Sequence, residues 1–116
     1  VRAVGKHVHF HSDGNIREIV PDLVELGVQV LNPQARVVGH GLLAREFAGK
    51  VCFRGDIDRQ HVLPFGTPEE VSAYVRGEVE ALSSASGGYI GWGELAADVP
   101  LANAEAMLKT LASYRR

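Results

Sequence analysis

Three side chains that can bind a metal or move a proton stand two residues apart near the start of the chain: His9, His11 and Asp13. Val8 and Phe10 alternate with the histidines, a period that is typical of a strand with two different faces. In a βα unit, the turn after the strand is where sites are usually built. We therefore predict that His11 and Asp13 are metal ligands or proton-transfer groups. The alternative is that Asp13 bonds backbone amides of the turn while His11 packs.

Carboxylates also follow two later apolar runs. Asp56 and Asp58 come directly after Gly55, and alternating carboxylates can serve as acid–base groups or ligands. Asp58 could equally cap the next segment. Glu94 lies two residues after Trp92. A partly apolar site beside this ring would raise the pKa of the Glu94 carboxyl group, as an acid–base role requires. We predict catalytic roles for Asp56, Asp58 and Glu94, with a solvated loop glutamate as the alternative for Glu94.

Further polar side chains at these positions are candidates for holding a substrate. Asn32 and Gln34 follow the second apolar run, where they could hydrogen-bond a substrate or serve as ordinary turn residues. Arg59 could bind a substrate carboxylate or form a surface ion pair. Three remaining side chains are assigned to no site, namely Cys52 as an inert core thiol and His40 and His61 as surface residues.

Composition limits the class of protein. With 116 residues, of which 46% are hydrophobic and 22% charged, the chain has the make-up of one soluble globular domain. A net charge of −2 gives no electrostatic reason to expect a nucleic acid or an anionic membrane as a partner. The partner expected at the candidate site residues is a small-molecule substrate. The single Cys52 excludes an internal disulfide and fits a cytoplasmic location. Residues 1–6 look like the end of a helix, which predicts a fragment of a longer enzyme.

Strands and helices alternate along the sequence. Each predicted strand is followed by a helical segment, which predicts an α/β fold with parallel strands. Four such βα units are half of a (β/α)8 barrel, and an open doubly wound sheet is the alternative. The predicted strands are 7–11, 28–31, 51–55 and 89–92, and the helices are 21–26, 40–48, 68–83 and 101–111.

Local signals mark two helix starts. Thr67 is a predicted N-cap, Pro68 the first helical residue and Glu70 the partner in a capping box. Asn15 and Glu18 predict a second capping box. Four apolar residues of the last helix are predicted to face inward, namely Ala104, Met107, Leu108 and Leu111.

An ordered series of short motifs runs through the chain. They are His11-Ser12-Asp13-Gly14-Asn15-Ile16, Pro21-Asp22-Leu23, Gly27-Val28, Leu31-Asn32-Pro33, Gly55-Asp56-Ile57-Asp58, Leu63-Pro64-Phe65-Gly66-Thr67-Pro68-Glu69-Glu70-Val71, Gly87-Gly88-Tyr89-Ile90 and Asp98-Val99-Pro100. In these motifs the chain resembles the carboxyl-terminal half of the uroporphyrinogen decarboxylase-like superfamily. This superfamily contains the heme-pathway decarboxylase, a lyase of porphyrin metabolism, and corrinoid-dependent methyltransferases. The resemblance implies a TIM barrel, to which residues 1–116 contribute the last four units as one domain.

The resemblance also implies a metal site. The family's methyltransferases carry zinc on a His-x-Cys-Gly turn and on a cysteine after the last strand. Here His11 matches, Asp13 stands in place of the first cysteine, and Glu94 lies near the place of the second. Carboxylates in place of thiolates make the site harder, so the predicted ion is zinc or a harder divalent metal.

The two branches of the superfamily give two functions. The turn at His11 and the Asn15 that follows it favour the methyltransferase-like branch, with Asn15 predicted to bind substrate. The alternative is a decarboxylase that acts on a tetrapyrrole carboxylate and needs no metal. Its arginine-rich substrate motif belongs to the amino-terminal half, and its late histidine-glycine loop is not found in residues 91–100.

The third reading is a non-catalytic half-barrel that acts as an interaction module. Four parallel strands leave two edges that need partners. We therefore predict either a homodimer or pairing with a missing amino-terminal half-barrel.

Overall fold

A computed structural model describes residues 2–114 of the chain. These residues form one four-stranded parallel sheet, which confirms the predicted α/β class. The strands are β1 (His9–Ser12), β2 (Val30–Pro33), β3 (Cys52–Arg54) and β4 (Tyr89–Ile90). The helices of the described residues are α1 (Val20–Glu25), α2 (Ala35–Val38), α3 (His40–Phe47), α4 (Val62–Phe65), α5 (Pro68–Leu82) and α6 (Leu101–Ser113).

The strands lie side by side in the order in which they occur along the chain. A doubly wound sheet reverses its strand order at a switch point, whereas consecutive units of a (β/α)8 barrel stay in order. The observed order is therefore compatible with half of a barrel.

One face of the sheet carries the main hydrophobic core. Phe10, Leu31, Phe53 and Tyr89 are in register across the four strands and pack against the helical layer. Leu31 and Phe53 have no exposed surface. Because side chains alternate along a strand, the neighbouring residues must point to the opposite face.

That opposite face, which we call the open face, is not covered by any helix within residues 2–114. His9, Val30 and Cys52 are in register on it, and each is exposed or only half-buried. The interpretation of Cys52 as a core thiol is therefore wrong. The run Val51-Cys52-Phe53 is apolar throughout, so its sequence gave no way to tell which residue faces the helices.

A second core lies between α5 and α6. Ile57, Leu63, Val75 and Met107 are buried together there. Helix α5 begins as predicted, because the Thr67 hydroxyl accepts a hydrogen bond from Glu70 N (3.2 Å) and the Glu70 carboxylate accepts one from Thr67 N (2.7 Å). This reciprocal pair is the predicted capping box.

The first helix begins differently from the prediction. A 3-10 turn at Arg17–Ile19 precedes α1, and Asn15 Oδ1 accepts a hydrogen bond from Arg17 N at 3.1 Å. The capping box predicted for Asn15 and Glu18 is therefore wrong. Pro21 can occupy only the first turn of a regular helix, so α1 begins too far from Asn15 for that residue to cap it.

Helix α6 buries a narrower face than its sequence suggests. Asn103, Ala104, Met107 and Thr110 are its buried residues, whereas Leu108 is 55% exposed. The prediction that Leu108 faces inward is therefore wrong. The sequence also gave no signal for the short helices α2 and α4. None of the helices formed by residues 2–114 has both the length and the hydropathy needed to span a bilayer.

Candidate functional site

Four of the predicted site residues meet at the carboxyl ends of the strands. His11 Nε2 lies 3.9 Å from Asp13 Oδ2, and Arg59 Nη2 lies 3.6 Å from Asp13 Oδ1. The same guanidinium reaches Glu94, with 3.3 Å between Nη1 and Oε2. We call His11, Asp13, Arg59 and Glu94 the Arg59 cluster. It joins the loops that follow β1, β3 and β4, because parallel strands bring their carboxyl ends to one edge of the sheet.

The ring of His11 is held by the neighbouring strand. Its Nδ1 lies 3.0 Å from the Asn32 carbonyl oxygen, which can only accept, so Nδ1–H donates and Nε2 is left facing Asp13. Asn32 is buried, and its side-chain Nδ2 donates to the carbonyls of Arg54 and Gly55, each at 3.0 Å. A substrate contact of the Asn32 side chain is therefore left to Oδ1.

Asp56 lies half-buried in the turn after β3. Burial raises the pKa of its carboxyl group to about 6, and the charge of Glu78 adds to the rise, while Arg59 and His11 oppose it. A carboxyl group that titrates near neutral pH can both give and take a proton under ordinary conditions. Asp56 is therefore the strongest acid–base candidate among the predicted residues.

Asp58 has a different role in the same loop. Its Oδ1 accepts hydrogen bonds from the backbone N–H groups of Gln60 (2.9 Å) and His61 (3.0 Å), and Oδ2 pairs with Arg36. Burial would raise the pKa of Asp58, yet these hydrogen bonds and the Arg36 charge hold it below its usual value. This geometry favours the capping interpretation of Asp58 over an acid–base role.

Two predicted substrate-binding residues hold turns together. Gln34 Oε1 accepts a hydrogen bond from Gly14 N at 2.8 Å, which joins the loops after β1 and β2. Asn15 bonds the backbone of its own turn. Their binding roles stay predictions, while their structural roles are evident from these contacts.

The site includes three residues that the sequence reasoning missed. Glu78, on α5, has a fully buried side chain, and it accepts hydrogen bonds from Tyr89 Oη (2.8 Å) and His40 Nε2 (3.2 Å). The interpretation of His40 as a surface residue is wrong, because its side chain is half-buried beside Glu78. One signal was present in the sequence: Glu78 is three residues after Val75 and four before Leu82, on the apolar stripe of its helix.

The cluster as arranged does not fit a metal ion. Among residues 2–114, no group of three or more His, Cys, Asp or Glu side chains lies close enough together to hold one. The Arg59 guanidinium stands between Asp13 and Glu94 and supplies the positive charge there. Zinc or a harder ion on His11, Asp13 and Glu94 stays a prediction that requires Arg59 to move aside.

An aromatic and cationic pair lies next to these residues. The Arg54 guanidinium stacks over the Trp92 ring, 4.1 Å from its centroid. Arg54 is in register with Ile90, at the carboxyl end of the sheet. Stacking of this kind stabilises the cation by about 0.5–2 kcal/mol and presents a flat, positively charged surface.

A parallel sheet in chain order, with ionisable side chains gathered at the carboxyl ends of its strands, defines an α/β protein with a candidate site at that edge of the sheet. Residues 1–114 match the family model of uroporphyrinogen decarboxylase (URO-D). The chain therefore belongs to the URO-D family, as its motifs predicted. No significant match was found among curated protein sequences or among solved structures.

Proposed function

We propose that this chain carries the acid–base site of a URO-D family decarboxylase, with Asp56 as the proton-transferring group. The observation that supports this most strongly is the position of Asp56, half-buried at the strand ends, where the pKa of its carboxyl group is raised to about 6. General acids work best when their pKa lies near the operating pH.

The reaction would use Asp56 after carbon–carbon cleavage. The bond to the substrate carboxylate breaks, carbon dioxide leaves, and the electron pair stays on the substrate carbon. Protonated Asp56 gives its proton to that carbon, and the resulting carboxylate takes a new proton from solvent. Proton transfer by a positioned side chain contributes about 10²–10⁴-fold to such a rate.

Arg59 is the group proposed to hold a substrate carboxylate. Its distances to Asp13 (3.6 Å) and Glu94 (3.3 Å) exceed the roughly 2.7–2.9 Å of a charge-assisted hydrogen bond, so N–H donors remain for a ligand. Arg54, stacked on Trp92, adds a second positive charge beside a flat ring. Together they suit an anionic substrate with planar rings, such as a carboxylated tetrapyrrole.

The methyltransferase-like branch is the second candidate, and one observation favours it. Because His11 Nδ1 donates to the Asn32 carbonyl, Nε2 is oriented toward the site, as in a metal-ligating histidine. It ranks second because Asp13 and Glu94, which would be the other ligands, are both paired with Arg59.

The four βα units are proposed to form half of a (β/α)8 barrel. Their strand order matches the chain order, and the open face carries half-buried Val30 and Cys52, as an incomplete barrel interior would. A second copy of the chain, or an amino-terminal half-barrel, would pair with the edges at β1 and β4. The Arg59 cluster would then lie at the mouth of the closed barrel.

An activity assay tests the proposed reaction. The chain is incubated with uroporphyrinogen, and loss of carboxyl groups is followed by mass spectrometry. Wild type and the exposed control Asp98→Asn are expected to release carbon dioxide, while Asp56→Asn binds the substrate and loses about 10²-fold or more of the rate.

Two results would contradict the proposal. One is an Asp56→Asn protein with the wild-type rate. The other is a protein that does not act on uroporphyrinogen but binds zinc, with a zinc affinity that falls in Asp13→Ala. The methyltransferase-like candidate requires that result. A protein that does neither would support the interaction-module reading.

A further inference from the structure

A buried polar network lies beneath the turn that carries Asp56. The Glu78 side chain is fully buried on the sheet side of α5. Its Oε1 accepts hydrogen bonds from Tyr89 Oη (2.8 Å) and from Asp56 N (3.1 Å). Its Oε2 accepts one from His40 Nε2 at 3.2 Å, so donors from α3, from the turn after β3 and from β4 converge on one carboxylate.

The turn is packed directly against this network. A Cβ atom added at Gly55 would overlap the Tyr89 hydroxyl and would lie 3.1 Å from Glu78 Oε1. Only a residue without a side chain allows the turn to come this close. The backbone of Asp56 is therefore fixed in position by Glu78 and Tyr89.

A carboxylate in this place is costly to the fold. An ionised group loses its hydration on burial, and hydrogen bonds and partners must offset that loss. An apolar side chain on the same stripe of α5 would fill the space without this cost. The charge of Glu78 therefore indicates a role in the turn that carries Asp56.

The role is indicated by the charged groups around the Asp56 carboxyl group. The charged and titratable groups that act on its carboxyl come from three directions: Glu78 from α5, His11 and Asp13 from β1 and its loop, and Arg59 from its own loop. Of the two negative charges among them, that of Glu78 has the larger effect, and Glu78 also bonds the Asp56 backbone.

We propose that Glu78 is a positioning residue that holds Asp56 at the mouth of the site and controls the ionisation of its carboxyl group, with Tyr89 and His40 holding Glu78 in turn. The catalytic meaning of this control rests on the proposed function. The control itself is a property of the free protein and can be measured without any substrate.

The test is a carbon NMR titration of the Asp56 side-chain carboxyl in the purified chain. In Glu78→Gln, which keeps the shape and loses the charge, the titration is expected to move to lower pH by roughly one pH unit. In Glu78→Asp, which keeps the charge, it is expected to stay closer to wild type. The matched control is Glu80→Gln, an exposed position on the same helix, which should leave the Asp56 titration unchanged.

Identical Asp56 titrations in wild type and a folded Glu78→Gln would overturn the proposal. If Glu78→Gln does not fold, Tyr89→Phe provides a second test, because loss of the hydroxyl removes a hydrogen bond that holds the Glu78 carboxylate and so changes its position or its charge. The Asp56 titration should then differ from that of wild type, and an unchanged titration would overturn the proposal. A positive result together with an inactive wild-type protein would retain the control by Glu78 and reject the decarboxylase function.

Discussion

Arg59 Nη1 lies 3.3 Å from Glu94 Oε2, although the two residues belong to loops that follow different strands. The pair is partly open to solvent, with 36% of the Arg59 side chain and 47% of the Glu94 side chain exposed. Exposed ion pairs of this kind stabilise a fold by about 0–1 kcal/mol. The pair therefore contributes little to stability, so the proposed role of Arg59 in binding a substrate carboxylate can be tested without unfolding the protein.

Arg59→Gln separates those two roles. We expect the free energy of unfolding to fall by less than about 1 kcal/mol, because the ion pairs are solvent-exposed. We expect the affinity for uroporphyrinogen to fall about tenfold or more, because a charged hydrogen bond to a carboxylate contributes about 1.5–3 kcal/mol. Calorimetric titration measures the affinity for uroporphyrinogen, and urea unfolding measures the free energy of unfolding. Arg45→Gln, which removes another exposed arginine, is the control, and equal affinities in the two variants would rule out Arg59 as the carboxylate-binding group.

The raised pKa of Asp56 should also appear in the stability of the protein. Its pKa rises from 3.8 to about 6 on folding, so between these values the folded state binds more protons than the unfolded state. The free energy of unfolding therefore falls as pH rises through this range. Above the range, the cost of burying the ionised Asp56 carboxylate is present in full. Asp56→Asn should therefore raise the free energy of unfolding at about pH 8 by about 1–2 kcal/mol, after allowance for solvent screening.

Urea unfolding at a series of pH values checks this expectation. Near pH 3, where Asp56 is protonated in both states, Asp56→Asn and wild type should have about the same stability. Asp98→Asn, at an exposed position, is the control. A mutant that is less stable than wild type at about pH 8 would show that the charged form of Asp56 stabilises the fold.

The capping box of α5 gives a prediction about folding alone. Thr67→Ala removes the acceptor for Glu70 N and should lower the free energy of unfolding by about 1 kcal/mol. Ser72→Ala, in the middle of the same helix, should be neutral or slightly stabilising because alanine has the higher helix propensity. An unchanged denaturation midpoint for Thr67→Ala would show that the cap contributes nothing to stability.

The sequence was informative where one local rule decides the outcome. Thr67 and Glu70 formed their capping box because all its atoms lie within one helical turn. The meeting of His11, Asp13 and Glu94 followed from the parallel strands, which place every βα loop at the same edge.

The failures have physical reasons of their own. Leu108 belongs to an apolar stripe wider than the face that α6 buries against α5. The role of Glu78 depends on Tyr89 and His40, which come from other elements of the chain, so no local pattern pairs them.

Cys52 and Phe53 are both apolar, so the sequence does not indicate which of the two faces the helices. Only the packing of the helices against one face of the sheet decides it.

The open face predicts self-association. Ile90 is 44% exposed on the edge strand β4, and half-buried Val30 and Cys52 lie on the same face. We expect the chain to form a two-fold dimer that closes an eight-stranded barrel, with light scattering at micromolar concentration giving twice the chain mass. Ile90→Lys should weaken the dimer by placing a charge in the contact. A stable wild-type monomer would reject the closed-barrel dimer.

The central claim is that Asp56 supplies the proton in a decarboxylation, and the pH dependence of kcat/KM for uroporphyrinogen tests it most directly. A general acid must be protonated, so the value should be highest below about pH 6 and should fall about tenfold per pH unit above it. Asp56→Asn should lose this dependence together with most of the rate. A wild-type kcat/KM that is level or rises from about pH 5 to 8, or an Asp56→Asn profile that matches wild type, would contradict the role assigned to Asp56.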